Sequence, residues 1–271
     1  MGTFREFEHT GWEDPATCAG YHDHLGPVVG QAVEPLLDAA QVATGARVVD
    51  VATGTGVVAA VAARRGALVL GVDFAAEQLR RAHADHAGLA LVRADAGALP
   101  LAASSVDAVV SSFGVPHFPS PDAFFREAAR VLREGGRLAF TVWAPPGRSP
   151  VFAALFGALA EHGTLDVGLP AGPEFFRYAD PDAAAADLAA AGFADMAVTD
   201  VAQIWELPTA AHAVDGLLHG TVRIGALLGR QPPGVLDRMQ RSVAERLASY
   251  EEGTSAHVPM PAVVVEEATK P

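Results

Sequence analysis

From Ala46 onward, short apolar runs alternate with stretches whose apolar positions recur every three or four residues. The first pattern fits buried strands and the second amphipathic helices. "ARVVDVA" is predicted as a strand, "GVVAAVAARRG" as a helix closed by Gly66, and "ALVLGVDF" as the next strand. "AAEQLRRAHADHAG", "LALVRAD" and "SVDAVVSSF" continue as helix, strand and strand. "SPDAFFREAARVLREGG" then predicts a helix with an N-terminal cap, and "RLAFTVWA" a fifth strand. Strands alternating with helices predict a parallel sheet covered on both faces.

Ahead of this block, residues 1–45 read as a mostly helical lead-in. Leu25, Val28, Val29, Ala32, Val33, Leu36 and Leu37 recur at helical spacing, and Gly45 closes the run. After Pro145 the pattern loosens. "PPGRSP" predicts a turn, residues 151–163 an apolar helix, and residues 164–180 a Gly/Pro-rich loop carrying Phe175, Phe176 and Tyr178. "DPDAAAADLAAAGF" predicts a second capped helix, and residues 194–206 a strand. Residues 208–250 predict two or three helices, and "PMPAVVVEEATKP" a last strand. With no internal repeat or low-complexity linker, the 271 residues are expected to form one domain with helical insertions.

Composition narrows the function classes. Nineteen basic against 32 acidic residues leave a net charge of −13, a surface that repels phosphate backbones and argues against nucleic acid. Half of the residues are hydrophobic, yet no apolar run nears the roughly 18 residues of a membrane span. "MGTFREFEHTGWEDP" lacks the basic-then-apolar order of a signal peptide. The one cysteine, Cys18, excludes an internal disulfide framework and any multi-thiolate metal site. A cytoplasmic protein is expected. Arginine recurs throughout, whereas the one lysine is Lys270.

The segment "VVDVATGTGVVAAVAARRGALVLGVDF" carries the candidate chemistry. Gly54, Gly56 and Ala59 have the G-x-G-x-x-A spacing of a nucleotide-binding turn, and Asp73 follows Gly54 by nineteen residues. Such glycines let the backbone approach a ligand beside a helix N-terminus, and an acid ending the second strand can accept both hydroxyls of a ribose. NAD and an adenosine-type ligand are served alike up to this point. Asp50 separates them. A carboxylate inside strand one must be hydrogen-bonded, with the loop amides as nearest donors, and it suits a ligand with a cationic end better than a pyrophosphate. Asp95 in "VRADAGALP" sets another acid at the same sheet edge, where an adenine amino group could donate to it.

With "RVLREGGRLAF" added, the sequence resembles the class I S-adenosylmethionine-dependent methyltransferases, of the small-molecule type related to ubiquinone and menaquinone C-methylases. The resemblance is close over about Val48 to Trp143, through "VVDVATGTG", "VLGVDF", "VRADAGALPLAASSVDAVVSSF" and "REAARVLREGGRLAF". It implies a Rossmann-like α/β fold, with a seven-stranded, mostly parallel sheet, helices on both faces and helical lid insertions. It implies S-adenosylmethionine as cofactor. Gly54 and Gly56 would pass its methionine portion, Asp73 hold the ribose, and Asp95 with the Ala96 amide read the adenine. Asp50 would orient the loop. Phe74, Gln78 and Ser112 are counted with the same cofactor site. Ala52 and Thr53 belong there too, although they stand where a glycine and a variable small residue are common. Trp12 and Tyr21 resemble an aromatic pair of lead-in segments that close over the cofactor. Tyr21 is either a contact to its carboxylate or a hydrophobic cap residue.

The segment after strand four, "SSFGVPHFP", lacks the Asn/Asp-Pro-Pro-Tyr/Phe motif of methylases that act on amide or base nitrogens. No carboxylate cluster of a magnesium-dependent catechol methylase is evident, and one cysteine excludes thiol-based chemistry. His117 follows strand four and is the candidate general base for a hydroxyl acceptor; its bland alternative is a loop histidine bonded locally. His83 and His86 lie on a polar helix, His22 and His24 in the cap. His212 and His219 share a helix face at seven-residue spacing, without further ligands for a metal. The later segments bring Phe152, Phe156, Phe175, Phe176, Trp205, Leu217 and Leu218. Most of these read as core, but insertions 148–180 and 207–255 would form an apolar lid for an apolar or aromatic acceptor.

The expected organisation is therefore a cap (1–45), a cofactor core (46–145) and two lid insertions. The expected activity is methyl transfer to oxygen or carbon of a small, largely apolar metabolite in natural-product or quinone-like biosynthesis. Its partner is a small-molecule acceptor, with no nucleic acid and no membrane, and a homodimer is compatible with the sequence. The alternatives are a methyltransferase-fold cyclase that keeps the cofactor as a structural element and, further off, an NAD-dependent oxidoreductase.

Overall fold

The alternating runs assemble into the seven-stranded sheet that the resemblance implies. The computed structural model describes Gly2 to Thr269, with side chains as far as Glu267, so Lys270 lies outside the described residues. With elements numbered in chain order, the sheet contains β1 (Arg47–Val51), β2 (Leu68–Asp73), β3 (Ala90–Arg93), β4 (Val106–Ser112) and β5 (Leu132–Trp143). Two later strands, β6 (Phe193–Val201) and β10 (Ala262–Thr269), complete it in the order β3-β2-β1-β4-β5-β10-β6. The first five strands pair in parallel, and β10 runs antiparallel to both β5 and β6. The order reverses direction between β1 and β4, and ligands of open α/β sheets bind at that switch, beyond the carboxyl ends of the strands.

The helices α4 (Val33–Ala39), α5 (Val57–Arg64), α6 (Ala76–Asp85), α7 (Pro121–Val131) and α9 (Pro181–Ala191) accompany this sheet. The strand pleat assigns the faces. Ala139 joins Leu36, Leu37, Val48, Val58 and Val110 in the core beneath α4 and α5. The next residue, Phe140, packs instead against Phe125 of α7 and against Tyr178, with ring centroids 5.6 and 5.9 Å away. Both faces are therefore covered. Tyr178 donates to Asp187 at 3.1 Å, and the same carboxylate takes both nitrogens of the Arg177 fork at 2.8 and 2.9 Å.

The chain divides into two compact units where one domain with insertions was expected. The sheet unit holds Gly30–Trp143, Gly172–Val201 and the residues from Ala262 onward; the other holds the residues up to Val29, Ala144–Ala171 and Ala202–Pro261. Residues 30–45, expected in the cap, supply α4 to the sheet, and residues 172–180, expected in the first lid, belong to the sheet unit as well. The helical unit contains α1 (Phe4–Glu13), α2 (Pro15–Gly20), α3 (Gly26–Val29) and α8 (Pro150–His162). It also contains α10 (His212–Gly220), α11 (Arg223–Gly229) and α12 (Val235–Leu247). Within it Trp205, Leu217, Met239, Val243 and Val258 are all buried, and the Trp205 indole donates to the His24 carbonyl at 2.8 Å.

Two local expectations are corrected. Residues 194–206 are not one strand: β6 ends at Val201, and β7 (Ile204–Leu207) joins a separate sheet with β8 (Glu251–Glu252) and β9 (Ser255–Pro259), in the order β7-β9-β8. The helix of "FFREAARVLREGG" ends at Val131, and β5 begins at Leu132 with a register shift opposite Val106 and Ala108. Among the described residues, no helix is long and apolar enough to cross a membrane. No three His, Cys, Asp or Glu side chains among them gather where they would hold a metal ion.

Candidate active site

Strand β1 delivers Asp50 to the interior and then releases the chain into a tight loop. The loop reverses through left-handed residues: φ is +57° at Ala52, +54° at Gly54 and +80° at Gly56. Glycine adopts such angles without penalty, whereas alanine pays about 1–2 kcal/mol. Ala52 is tolerated because its side chain points to Gly114, where a Cβ would come within 2.6 Å of the Ala52 Cβ. A glycine on the β4 exit thus accommodates a non-glycine in the cofactor loop.

Two carboxylates hold the loop from below. The N-cap of α5, Gly56, has no side chain with which to cap the helix. Asp50 does so from the strand: its Oδ2 accepts from the Ala59 amide at 3.1 Å and from the Thr53 hydroxyl at 2.5 Å. Asp73 ends β2 and accepts from the Gly54 amide at 2.9 Å through Oδ2 and from the Ala75 amide at 2.9 Å through Oδ1. The Thr53 amide donates to the Val72 carbonyl at 3.0 Å, closing the loop onto β2. Asp50 thus bonds the Thr53 hydroxyl of the loop and the Ala59 amide of α5, where loop amides were the expected donors.

Burial pushes the Asp50 carboxyl up to about 7, and the charge of Asp73 adds to the shift; the Thr53 hydroxyl and the Ala59 amide oppose it. The Asp50 Oδ1 is buried and has no hydrogen-bond partner among the described residues. The same is true of Gln78 Oε1, on the first turns of α6 in a side chain only 4% exposed. That oxygen lies 3.9 Å from where a Cβ on Gly54 would be, with no other atom within 4 Å of that point. Two unmet acceptors thus belong to one glycine loop. They fit a ligand that brings N–H donors and positive charge, and they would repel a pyrophosphate.

The predicted residues of the sheet unit, Tyr21 being outside it, lie along the same edge. The Ala94 amide donates to the Asp73 carbonyl at 3.0 Å, which ties the β3 exit to β2 and sets Asp95 and Ala96 beside it. Asp95 Oδ1 accepts from the Gly97 amide at 2.8 Å, so a local turn fixes its direction. Phe74 is half-buried, and its carbonyl accepts from Arg93 Nε at 2.7 Å. Ser112 ends β4, where the Thr141 hydroxyl donates to it at 3.4 Å. Tyr21 belongs to the helical unit, in a π-helical turn, edge-on to Trp12 with centroids 5.4 Å apart. Loss of solvent raises its phenol above the usual tyrosine range.

On the acceptor side, His117 sits in a short 3-10 turn after β4, and its amide donates to the Gly114 carbonyl at 2.9 Å. Its ring meets Phe175 edge-on, with centroids 6.0 Å apart, and Phe175 in turn meets Phe176 at 5.0 Å. The aromatic loop expected to be a lid element is thus tied to the candidate base inside one unit. Sequence reasoning missed Phe113 and Trp143. Phe113 holds φ at +55°, an outlier for an aromatic residue, and stacks on Trp143 at 4.1 Å. Phe113 directly follows β4 and Trp143 ends β5, at the edge where ligands of such sheets bind, and no sequence signal marks the backbone strain. Of the other apolar candidates, Phe152, Trp205 and Leu217 are core, while Phe156 and Leu218 are half-buried.

The fold is Rossmann-like, and residues 49–140 match the family model described as a methyltransferase domain. Over 112 residues the chain is 40% identical to demethylmenaquinone methyltransferase of Corynebacterium kroppenstedtii, covering 41% of this chain and 48% of that protein. The chain thus spans about half the length of this curated relative. Among solved structures it resembles Haemonchus contortus phosphoethanolamine N-methyltransferase 2, solved with phosphomonomethylethanolamine and S-adenosylhomocysteine. The TM-score is 0.60 at 20% identity, with 100% of this chain and 61% of that one covered. It also resembles the 4+2 cyclase SpnF, with a TM-score of 0.59 at 18% identity and 100% and 97% covered.

Proposed function

We propose that the protein transfers a methyl group from S-adenosylmethionine to an oxygen or carbon of a small, largely apolar metabolite. One observation carries the cofactor assignment: two buried acceptors, Asp50 Oδ1 and Gln78 Oε1, stand without partners beside the glycine loop. When bound, S-adenosylmethionine supplies an electrophilic methyl group on a positively charged sulfur. Asp73 and Asp95 hold its ribose and adenine, Gly54 and Gly56 admit its methionine portion, and Asp50 fixes the loop. What remains for the protein is alignment of acceptor and methyl group and exclusion of water.

His117 and Phe175 are assigned to the acceptor. An apolar aromatic face beside an imidazole suits a phenolic or quinol-type ring, with His117 taking the hydroxyl proton as the methyl transfers. The likeness of residues in the core to a demethylmenaquinone methylase supports this substrate class. The test is formation of S-adenosylhomocysteine with a panel of quinols and phenols, using cofactor labelled in the transferred methyl. Label in the acceptor supports the proposal. Conversion of a substrate that needs the bound cofactor but yields no S-adenosylhomocysteine would favour the cyclase reading, to which the SpnF likeness gives a precedent in fold alone.

A further inference from the structure

Asp50 and Asp73 end adjacent strands, and the negative charge of Asp73 acts on Asp50 directly. Asp50 is 1% exposed, and one of its two oxygens has no partner. A carboxylate left half-satisfied in this way is a costly anion, and a neighbouring anion raises the cost. Both the burial and Asp73 lift its carboxyl to about 7. A cation against the loop relieves both parts of the cost, whereas a neutral donor supplies a hydrogen bond but no charge to offset Asp73.

We propose that Asp50 makes the loop a reader of ligand charge, ionised when cationic S-adenosylmethionine is bound and protonated once the neutral sulfur of S-adenosylhomocysteine replaces it. The proposal rests on the cofactor reading above and adds a rule for turnover. Methyl transfer removes the sulfonium charge; one proton then passes from solvent to the Asp50 carboxylate, no ligand bond changes, and the hold on the product weakens. In the acidic range the site loses its preference for fresh cofactor over spent cofactor.

The surroundings leave Asp50 as the group that responds. On β2 the facing charge is Asp73. On β4 the carboxylate is Asp107, which accepts from the Arg47 amide at the opposite, amino end of β1 and pairs with Arg133. The charges of α5 are Arg64 and Arg65 at its far end, and Arg65 pairs with Glu34 and Asp38 of α4.

Titration calorimetry of the full-length protein with each ligand, at about pH 6, 7 and 8 and in buffers of different ionisation enthalpy, reads affinity and protons exchanged together. The ligand's own amino group titrates nearby, so the deciding quantity is the difference between wild type and Asp50→Asn. In the wild type, affinity for S-adenosylmethionine should rise about tenfold more than affinity for S-adenosylhomocysteine across that range, with protons released on binding. Asp50→Asn should flatten the ratio. Thr53→Val, which removes the hydroxyl bonded to the Asp50 anion, should move the wild-type midpoint to higher pH. A wild-type ratio independent of pH overturns the proposal, as does an unchanged slope in Asp50→Asn. Failure of the wild type to bind either ligand at any pH would instead overturn the cofactor reading.

Discussion

At Gly114 the β4 exit passes close to Ala52 of the glycine loop, and Gly114→Ala tests that approach. Its φ of −78° and ψ of −38° suit any residue, so alanine adds no backbone strain. The cost is spatial. A Cβ there would lie 2.6 Å from the Ala52 Cβ and 2.7 Å from the Ser111 Oγ. Non-bonded carbons settle at about 3.5–4.0 Å, so Ala52 must retreat by roughly 1 Å, and neither neighbour is the far end of a flexible chain. Overpacking of this kind costs about 1–3 kcal/mol, and here the displaced segment is the loop proposed to hold the cofactor. Gly114→Ala should therefore lose about 1–3 kcal/mol of stability, and S-adenosylhomocysteine should bind it more weakly by a similar amount.

Ala52→Gly supplies the control. Alone it should be neutral or stabilising by up to about 1.6 kcal/mol, because relief of about 1–2 kcal/mol of left-handed strain is only partly offset by roughly 0.4–1 kcal/mol of added unfolded-chain entropy. In the double variant the 2.6 Å approach is gone and the contact with Ser111 remains. Part of the loss should return, as a coupling of about 0.5–3 kcal/mol. Urea denaturation and calorimetric binding of the four proteins complete the cycle. Additivity within about 0.5 kcal/mol would refute the steric account.

Asp73→Ala removes the acceptor of the Gly54 and Ala75 amides and should weaken S-adenosylhomocysteine binding by about 1.5–3 kcal/mol in titration calorimetry; unchanged affinity would remove Asp73 from the site. His117→Ala should lower turnover by roughly 10²–10⁴ while cofactor affinity stays the same, and full turnover would leave His117 a loop residue. Adding acceptor to the cofactor-bound protein should raise hydrogen-exchange protection around His117 and Phe175; unchanged protection in both segments would remove them from the acceptor site. Without ligand, the folded protein keeps the Asp50 proton to about 7, whereas an unfolded aspartate loses it near about 3.9. The folded state then binds the extra proton between those values, so stability falls as pH rises through the window, and Asp50→Asn should flatten that limb of a urea series. An identical limb in the variant counts against Asp50 as its source.

The sheet was legible because its strands are buried on both faces and read as near-continuous apolar runs, as Val48 to Val51 and Val106 to Val110 do with a single acid each, Asp50 and Asp107. The helical unit was less legible. Its small sheet is built from β7, β8 and β9, which are short and partly exposed, so their apolar content is diluted. One signal was available. In "EEGTSA", Glu252 pairs with Ser255 across a two-residue loop whose first residue, Gly253, has φ of +65°, as a type II′ hairpin turn requires. The ending of α7 was harder, because nothing in "VLREGG" says that Leu132 will pair with Val106 before the chain reaches Gly135.

The cofactor side was legible for a reason that the acceptor side cannot share. A glycine loop and strand-end acids act through the backbone, so spacing along the chain fixes their places: Asp73 reaches the Gly54 amide because β1 and β2 are neighbours in register. Acceptor contacts arise between segments that no spacing relates, as when Phe175, far along the chain, meets His117 after β4. The strain at Phe113 and Ala52 is likewise invisible in the sequence, since both are ordinary residues in extraordinary backbone angles. Yet these strained positions flank Gly114, and the unmet oxygens of Asp50 and Gln78 belong to the same loop. Left-handed non-glycine residues and unpaired buried oxygens also occur elsewhere in the molecule, at Gln41, Asp195, Gln203 and Glu267, so it is the grouping of several around one loop that argues for a ligand. Their convergence on one sheet edge is the physical argument that this edge is built to hold a charged ligand.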